Sequence, residues 1–160
     1  MEVKIKKLVE SAVIPFYAKP GDAGMDLTAV SKWYEDGNVC YGTGLAFEIP
    51  EGYVGLVFPR SSNAKKDLIL SNCVGVIDSG YRGEVTFKFK PNNKIFAYET
   101  NNDKKDCRIF DVDNEEQKIY DINERVGQII ILPFPKIKFI ESEELSETER
   151  GTGGYGSTNN

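Results

Sequence analysis

Five short stretches set polar side chains among glycines. They are Ala23-Gly-Met-Asp-Leu27, Pro59-Arg-Ser-Ser62, Gly75-Val-Ile-Asp-Ser-Gly-Tyr-Arg-Gly83, Glu124-Arg-Val-Gly-Gln128 and Arg150-Gly-Thr-Gly-Gly-Tyr-Gly-Ser-Thr158. Together they offer carboxylates, hydroxyls, guanidinium groups and closely spaced backbone amides, a set able to hold an anion and prepare water for attack. The chain has no histidine. That removes Ser-His-Asp and Cys-His nucleophilic catalysis and the usual zinc sites. Hydrolytic chemistry must then run on carboxylates, hydroxyls, arginines and backbone amides, with or without a hard metal ion. Each stretch alone also has an ordinary explanation. Asp78 follows an apolar run and would open a hairpin as an Asx-turn, Tyr81 would be a core aromatic, and Gln128 an exposed strand residue. The Gly-rich tail would be a disordered terminus. Against the last stand Arg150 at its entry and the lone aromatic Tyr155, a pairing that resembles a backbone nest with a stacking lid.

The elements that must position these residues read as strands. Residues 84–90 alternate, with Val85, Phe87 and Phe89 on one face and Thr86, Lys88 and Lys90 on the other. Leu45, Phe47 and Ile49 alternate likewise, and Pro50-Glu51-Gly52 turns the chain into the apolar run 53–58. Residues 128–132 are continuously apolar after Gln128, which predicts a strand buried on both faces. Residues 3–8 and 136–140 are expected as outer strands. Helix signals are thin, a turn or two at 63–70 and another at 143–150. Many short strands split by Gly and Pro predict an all-β sandwich or barrel. Residues 92–123, rich in Asn, Asp, Glu and Lys, read as a long excursion with strand-like pieces at 94–98 and 107–110, an added hairpin between two core strands.

In this order, the five stretches resemble the five motifs of the trimeric dUTPase family over residues 23–158. The resemblance implies a distorted jelly-roll (β-clip) domain over 1–148 and a flexible arm over 149–160 that closes on active sites shared within a homotrimer. It implies cleavage of dUTP to dUMP and pyrophosphate, which limits uracil in DNA and supplies dUMP for thymidylate synthesis. Asp78 would be the general base for water attacking the α-phosphorus. Ser61 would donate near the α–β bridging oxygen, Arg60 would anchor the phosphates with Ser62 beside it, and Gln128 would contact the α-phosphate or the water. Asn72, Gly75 and Val76 lie in the hairpin that would read uracil, and Tyr81 would exclude a 2′-hydroxyl. From the arm, Arg150 would grip the γ-phosphate, Gly153, Gly154 and Gly156 would supply backbone contacts, Ser157 and Thr158 hydroxyls, and Tyr155 a stacking ring. The cofactor implied is Mg²⁺, held mainly by substrate phosphates, with Asp26 reaching it through water. Most relatives carry an acid where Gly80 stands. Some bacteriophage members carry extra residues between the third and fourth motifs, linked there with regulatory proteins, so residues 92–123 are either a surface for such a partner or a long loop without one.

Composition sets the outer limits. A chain of 160 residues supports one domain with a real core. A net charge of −5 argues against a nucleic-acid polymer as partner, because no basic stripe exists to displace counterions. No apolar run is long enough to cross a bilayer, and the basic start lacks the continuous apolar stretch of a secretion signal. Cys40, Cys73 and Cys107 are odd in number and widely spaced, which predicts reduced thiols in a cytoplasmic compartment, that of a host if the source is viral. Two rival functions follow from the same pocket. A dCTP deaminase would need a glutamate on the strand after the third motif, where residues 85–90 carry no acid. A catalytically idle nucleotide sensor would need a missing catalytic group, and Asp78, Ser61, Gln128 and Arg150 are all present.

Overall fold

The computed structural model describes residues 1–92, 97–100, 107–110 and 118–154, with backbone alone for 97–100 and 107–110. The strands in chain order are β1 (Lys4–Lys7), β2 (Met25–Thr28), β3 (Ser31–Glu35), β4 (Asn38–Gly42), β5 (Leu45–Glu48), β6 (Tyr53–Phe58), β7 (Leu68–Leu70), β8 (Gly75–Ile77), β9 (Thr86–Pro91), β10 (Ala97–Thr100), β11 (Cys107–Phe110) and β12 (Arg125–Pro133). A single 3₁₀ turn, Ser61–Lys65, stands between β6 and β7. One four-stranded sheet runs β2-β12-β6-β8 and a second runs β3-β4-β9-β7, all antiparallel, with β1-β5 and β10-β11 as separate pairs. This is the all-β, jelly-roll type of architecture expected from the sequence.

The two larger sheets close over one core. Leu27, Val57 and Ile129 face Val39, Tyr41, Phe87 and Phe89, with Leu45, Phe47, Ile49 and Leu68 filling in. The alternation of residues 84–90 holds, because Val85, Phe87 and Phe89 are buried while their neighbours on β9 face out. The turn at 50–52 also forms, closed by Tyr53 N donating to Pro50 O at 3.1 Å, with Gly52 at φ +83°. Tyr41 meets Phe89 and Tyr120 edge-on, with ring centroids 5.8 and 5.9 Å apart. Its hydroxyl donates to Tyr120 O and accepts from Tyr120 N, so the chain before β12 is fastened to the core through one side chain.

Several expectations change. Residues 63–70 hold the end of the 3₁₀ turn and then β7, since Leu68 and Leu70 are buried when they pair with β9 and a helix would point one of them outward. Residues 143–150 form no helix, only a turn at the end. Residues 136–140 form no strand, because no strand edge among the described residues receives them, and Ile137, Phe139 and Ile140 stay 70–90% exposed. Of residues 128–132 only Ile129 is buried; Gln128, Ile130 and Ile131 are half-buried and Leu132 is exposed, so this part of β12 is not buried on both faces. In the 92–123 excursion, β10 and β11 do pair with each other as a ribbon, while residues 93–96, 101–106 and 111–117 lie outside the described residues.

Candidate active site

The polar residues gather first around β12, the second strand of its sheet. Gln128 lies opposite Asp26 of β2 on one side and Phe58 of β6 on the other. A register shift between Arg125 and Gly127 bulges β12 toward β2, as β-bulges re-aim side chains at the ends of pairings. Only glycine fits at 127, because a Cβ there would collide with the Phe87 ring and lie 2.9 Å from Phe58 O. At Gly24 a Cβ would sit 2.9 Å from Gln128 Oε1, so a side chain there would push the Gln128 amide aside. Gln128 Nε2 donates to Pro59 O at 3.3 Å, which ties the strand to the loop carrying the hydroxyls.

Asp26 is the hub of this cluster. Its Oδ1 accepts from Arg60 Nε at 2.7 Å and its Oδ2 from Arg125 Nη1 at 3.1 Å. Arg60 also donates from Nη1 to Ser62 Oγ at 3.2 Å. Two guanidiniums thus share one carboxylate, which also lines a cleft with Asp22, Gly24 and Gln128. Arg125 was not singled out among the sequence candidates. Its only sequence signal was membership of the Glu124–Gln128 stretch, and the bulge that aims it at Asp26 has no signature in residue type.

The loop bearing Arg60, Ser61 and Ser62 is braced from below. Asn63 donates from Nδ2 to Leu68 O and accepts from Tyr120 Oη. Lys66 Nζ reaches Ile119 O and Glu124 Oε2, both at 2.9 Å, and lies 4.7 Å from the centre of the Tyr120 ring. Burial alone would push the Glu124 carboxyl up, yet the Lys66 hydrogen bond and charge, with the Asp121 amide, hold it below the usual range. Burial pushes Tyr120 above the usual phenol value, which keeps it a neutral donor. Ser61, at the head of the 3₁₀ turn, is exposed. It faces solvent on a scaffold fixed by half-buried contacts.

The second group lies on the loop that flanks β8. Cys73 adopts φ +57°, and Val74 N closes a tight turn onto Asn72 O at 2.5 Å. Gly75 packs so closely on Val57 that a Cβ would collide with it, and the same Cβ would lie 3.3 Å from Asn72 Nδ2. Val76 is 62% exposed. Beyond Ile77, Asp78 is exposed and its carbonyl accepts from Tyr81 N at 3.0 Å. The Tyr81 ring folds over Gly83, where a side chain would collide with it, and Tyr81 Oη donates to Glu84 O at 3.0 Å. Tyr81 is therefore half exposed rather than a core residue. At Gly80 a Cβ would meet nothing within 4 Å, so a side chain in relatives has room and its absence here leaves the turn intact.

Within one chain these two groups do not meet. Strands β2 and β8 are opposite edges of the same sheet, three strand spacings or about 14 Å apart. The third group is also separate. Arg150 Nε donates to Gly153 O, and Gly153 N to Arg150 O, in a turn where Gly151 has φ +51°. The Gly153 amide is thus engaged within its own turn, while Gly154 is exposed. Tyr155, Gly156, Ser157 and Thr158 lie outside the described residues.

Comparison with known proteins places this geometry. The dUTPase family model matches residues 10–103. Deoxyuridine 5′-triphosphate nucleotidohydrolases of Nautilia profundicola and Hydrogenobaculum sp. are 39% and 35% identical, over 99% of this chain in each case and 99% and 98% of theirs. Among solved structures, the Staphylococcus bacteriophage 80alpha dUTPase with dUPNHPP superposes with a TM-score of 0.74 at 29% identity, covering 98% of this chain and 97% of that one. A variant dUTPase of phage phi11 of S. aureus, which coordinates a structural Mg(II) ion, gives 0.65 at 25% identity over 90% and 98% of the two chains.

Proposed function

The chain belongs to the dUTPase family, and on that premise we propose that it cleaves dUTP to dUMP and pyrophosphate with Asp78 as the base that prepares the attacking water. The observation that carries the mechanism is the division of the polar residues between two edges of one sheet. A site that needs both edges is completed when chains associate, with the Asp26–Arg60–Gln128 edge of one facing the Asp78–Tyr81 edge of another. A homotrimer meets that need. The exposed apolar side chains Ile137, Phe139, Ile140 and Leu145 support it, since large apolar surface of this kind marks contact with a partner.

Each residue then has a task its surroundings suit. Asp78 accepts a proton from water as the oxygen attacks the α-phosphorus, and the bond to the bridging oxygen breaks. A base in this role contributes about 10²–10⁴-fold. Ser61 donates toward the bridging oxygen as negative charge develops there. Arg60, with Ser62, binds the phosphates through guanidinium hydrogens not used by Asp26, and Gln128 orients the α-phosphate or the water. Strand β8 pairs with β6 alone among the described residues, so its other edge has backbone amides and carbonyls free to read uracil, with Asn72, Gly75 and Val76 at the base. A base with the wrong donor–acceptor pattern leaves such groups unpaired at about 1–3 kcal/mol each. Tyr81, fixed by Gly83 and Glu84 O, stands where a 2′-hydroxyl would clash. Residues 149–160 form the closing arm, with Arg150 on the γ-phosphate, Gly153, Gly154 and Gly156 lending amides, Ser157 and Thr158 hydroxyls, and Tyr155 a ring over the base. The Arg150–Gly153 turn must open for this, as lids do on binding.

Magnesium fits the donors present. Among the described residues no group of three or more acids forms a metal cage, and Asp26 with Asp22 offers hard oxygens at the cleft, which suits an ion carried by phosphates and its own waters. When bound, such an ion neutralises phosphate charge and fixes the triphosphate's shape. No helix among the described residues is long and apolar enough to cross a membrane, and free thiols at Cys40 and Cys73 suit the reducing cytoplasm. The β10–β11 ribbon, whose strands pair only with each other among the described residues, suits a regulatory protein contact.

The test is pyrophosphate release from dUTP, dCTP and UTP, with and without Mg²⁺. We expect turnover of dUTP alone, and Asp78→Asn to lower kcat by about 10²-fold or more while nucleotide binding survives. Near-normal turnover in that variant would refute the role given to Asp78, and ammonia release from dCTP would favour a deaminase.

A further inference from the structure

Asp67 stands two residues beyond the 3₁₀ turn headed by Ser61 and immediately before β7. Both of its backbone polar groups and one carboxylate oxygen are spent on the two ends of the segment between Asn92 and Lys118. Its carbonyl accepts from Asn92 N at 2.9 Å, where the chain leaves β9, and its amide donates to Lys118 O at 2.8 Å, where the chain returns. Its Oδ2 accepts from Lys118 N, also at 2.8 Å. The bond from Asn92 prolongs the β7–β9 pairing, in which Leu68 lies opposite Pro91. The carboxylate does something that pairing does not require, since it closes a ring with Lys118 and holds the returning chain against the departing one. About 25 residues separate those ends, and keeping so long a loop closed works against chain entropy.

The returning chain is the one that braces the reaction loop. Directly after Lys118, Ile119 O accepts from Lys66 Nζ at 2.9 Å and Tyr120 Oη donates to Asn63 Oδ1 at 3.0 Å. Tyr120 is held by Tyr41 as well, so releasing Lys118 loosens this brace without dissolving it. Arg60 has a separate anchor in Asp26. We propose that Asp67 is a positioning residue for the reaction: its carboxylate clamps the two ends of the excursion together, and through Ile119 and Tyr120 that clamp sets where Ser61 presents its hydroxyl. The inference rests on the proposed function in one respect, that Ser61 donates to the departing bridging oxygen. Such a donor acts as charge develops, so its misplacement lowers kcat, while Arg60 on its own anchor leaves KM in place. An accessory segment is in this way tied to the reacting groups through one side chain.

Every arm of the experiment uses the full chain. Steady-state dUTP turnover is compared for the natural protein, Asp67→Ala, Asp67→Asn, Tyr120→Phe and the double variant Asp67→Ala/Tyr120→Phe. Asp67→Ala should lower kcat by about tenfold with KM unchanged, and Asp67→Asn, which keeps an oxygen for Lys118 N, should restore most of the loss. The double variant should be much less slow than the product of the two single effects, because both changes cut the same path. Unchanged kcat in Asp67→Ala, a rise in KM that accompanies the fall in kcat, an asparagine variant as slow as the alanine one, or independent losses in the double variant would each overturn the proposal. Asp67→Glu, whose carboxylate is displaced by one methylene, takes the place of alanine should that variant not fold. Hydrogen exchange read by mass spectrometry needs no substrate: peptides covering 118–120 and 60–66 should both exchange faster in Asp67→Ala and recover in Asp67→Asn. If the natural protein turns over no dUTP, the proposed function fails and exchange still judges the clamp. Faster exchange at 118–120 with none at 60–66, or no change at either, would overturn it.

Discussion

Replacing Asp26 by asparagine keeps the side chain's shape and removes the one negative charge between two guanidinium groups. Oδ1 now accepts from Arg60 at 2.7 Å and Oδ2 from Arg125 at 3.1 Å. Asparagine can answer one arginine with its carbonyl and must present its amide, a donor, to the other. Asp26 and Arg60 are each only 25% exposed, so the site is neither bulk water nor dry interior. At an effective dielectric of about 20, one charge about 6 Å from a phosphate amounts to about 3 kcal/mol. Loss of the carboxylate therefore removes a repulsion, and taken alone it tightens metal-free binding of the triphosphate by up to about a hundredfold. The opposing effect falls on the metal, because a group that holds a metal's waters is worth about 10–100-fold in metal affinity or activity. The two effects separate by readout. Calorimetry with an uncleavable dUTP analogue in the absence of Mg²⁺ should show binding equal to or tighter than that of the natural protein. Steady-state assays should show the Mg²⁺ needed for half-maximal turnover rising by about tenfold or more. If the Mg²⁺ requirement does not move, Asp26 serves only to hold the arginines, and its placement beside the metal's waters is wrong.

Other outcomes follow from features away from the reacting groups. Gly127→Ala drives a methyl into the Phe87 ring and against Phe58 O; overpacking of this kind costs about 1–3 kcal/mol, and a chemical-denaturation midpoint as high as the natural protein's would contradict the packing described. Burial holds the Cys40 thiol up to about 11, so at pH 8 an alkylating reagent should mark exposed Cys73 and spare Cys40 until the protein unfolds, as peptide mapping would record. Deleting residues 93–116 removes a ribbon whose described strands pair only with each other, so dUTP turnover and assembly should persist; dissociated chains on light scattering would make the segment structural.

The motif stretches were legible because their residue types are rare in combination and do not depend on knowing the fold. The strand at 84–90 was legible for a different reason, since its alternation reports burial on one face and the structure supplies that face. Residues 136–140 show the limit. Their pattern is strand-like, but a strand exists only with a partner, and nothing in the segment says that none of the described residues supplies one. The 63–70 stretch misled because its composition tolerates a helix, while the pairing of Leu68 and Leu70 with β9, decided by residues far along the chain, required a strand. Arg125 was passed over because its contact with Asp26 depends on a bulge, a feature of register rather than of residue type.

The sheet order β2-β12-β6-β8 has a consequence for the enzyme as a population of molecules. If the reacting groups divide between the two outer strands as proposed, a solitary chain would be inert, and specific activity should collapse on dilution below the association threshold. Chains damaged on different rims should repair each other when mixed, whereas a chain damaged on both would poison the assemblies it joins.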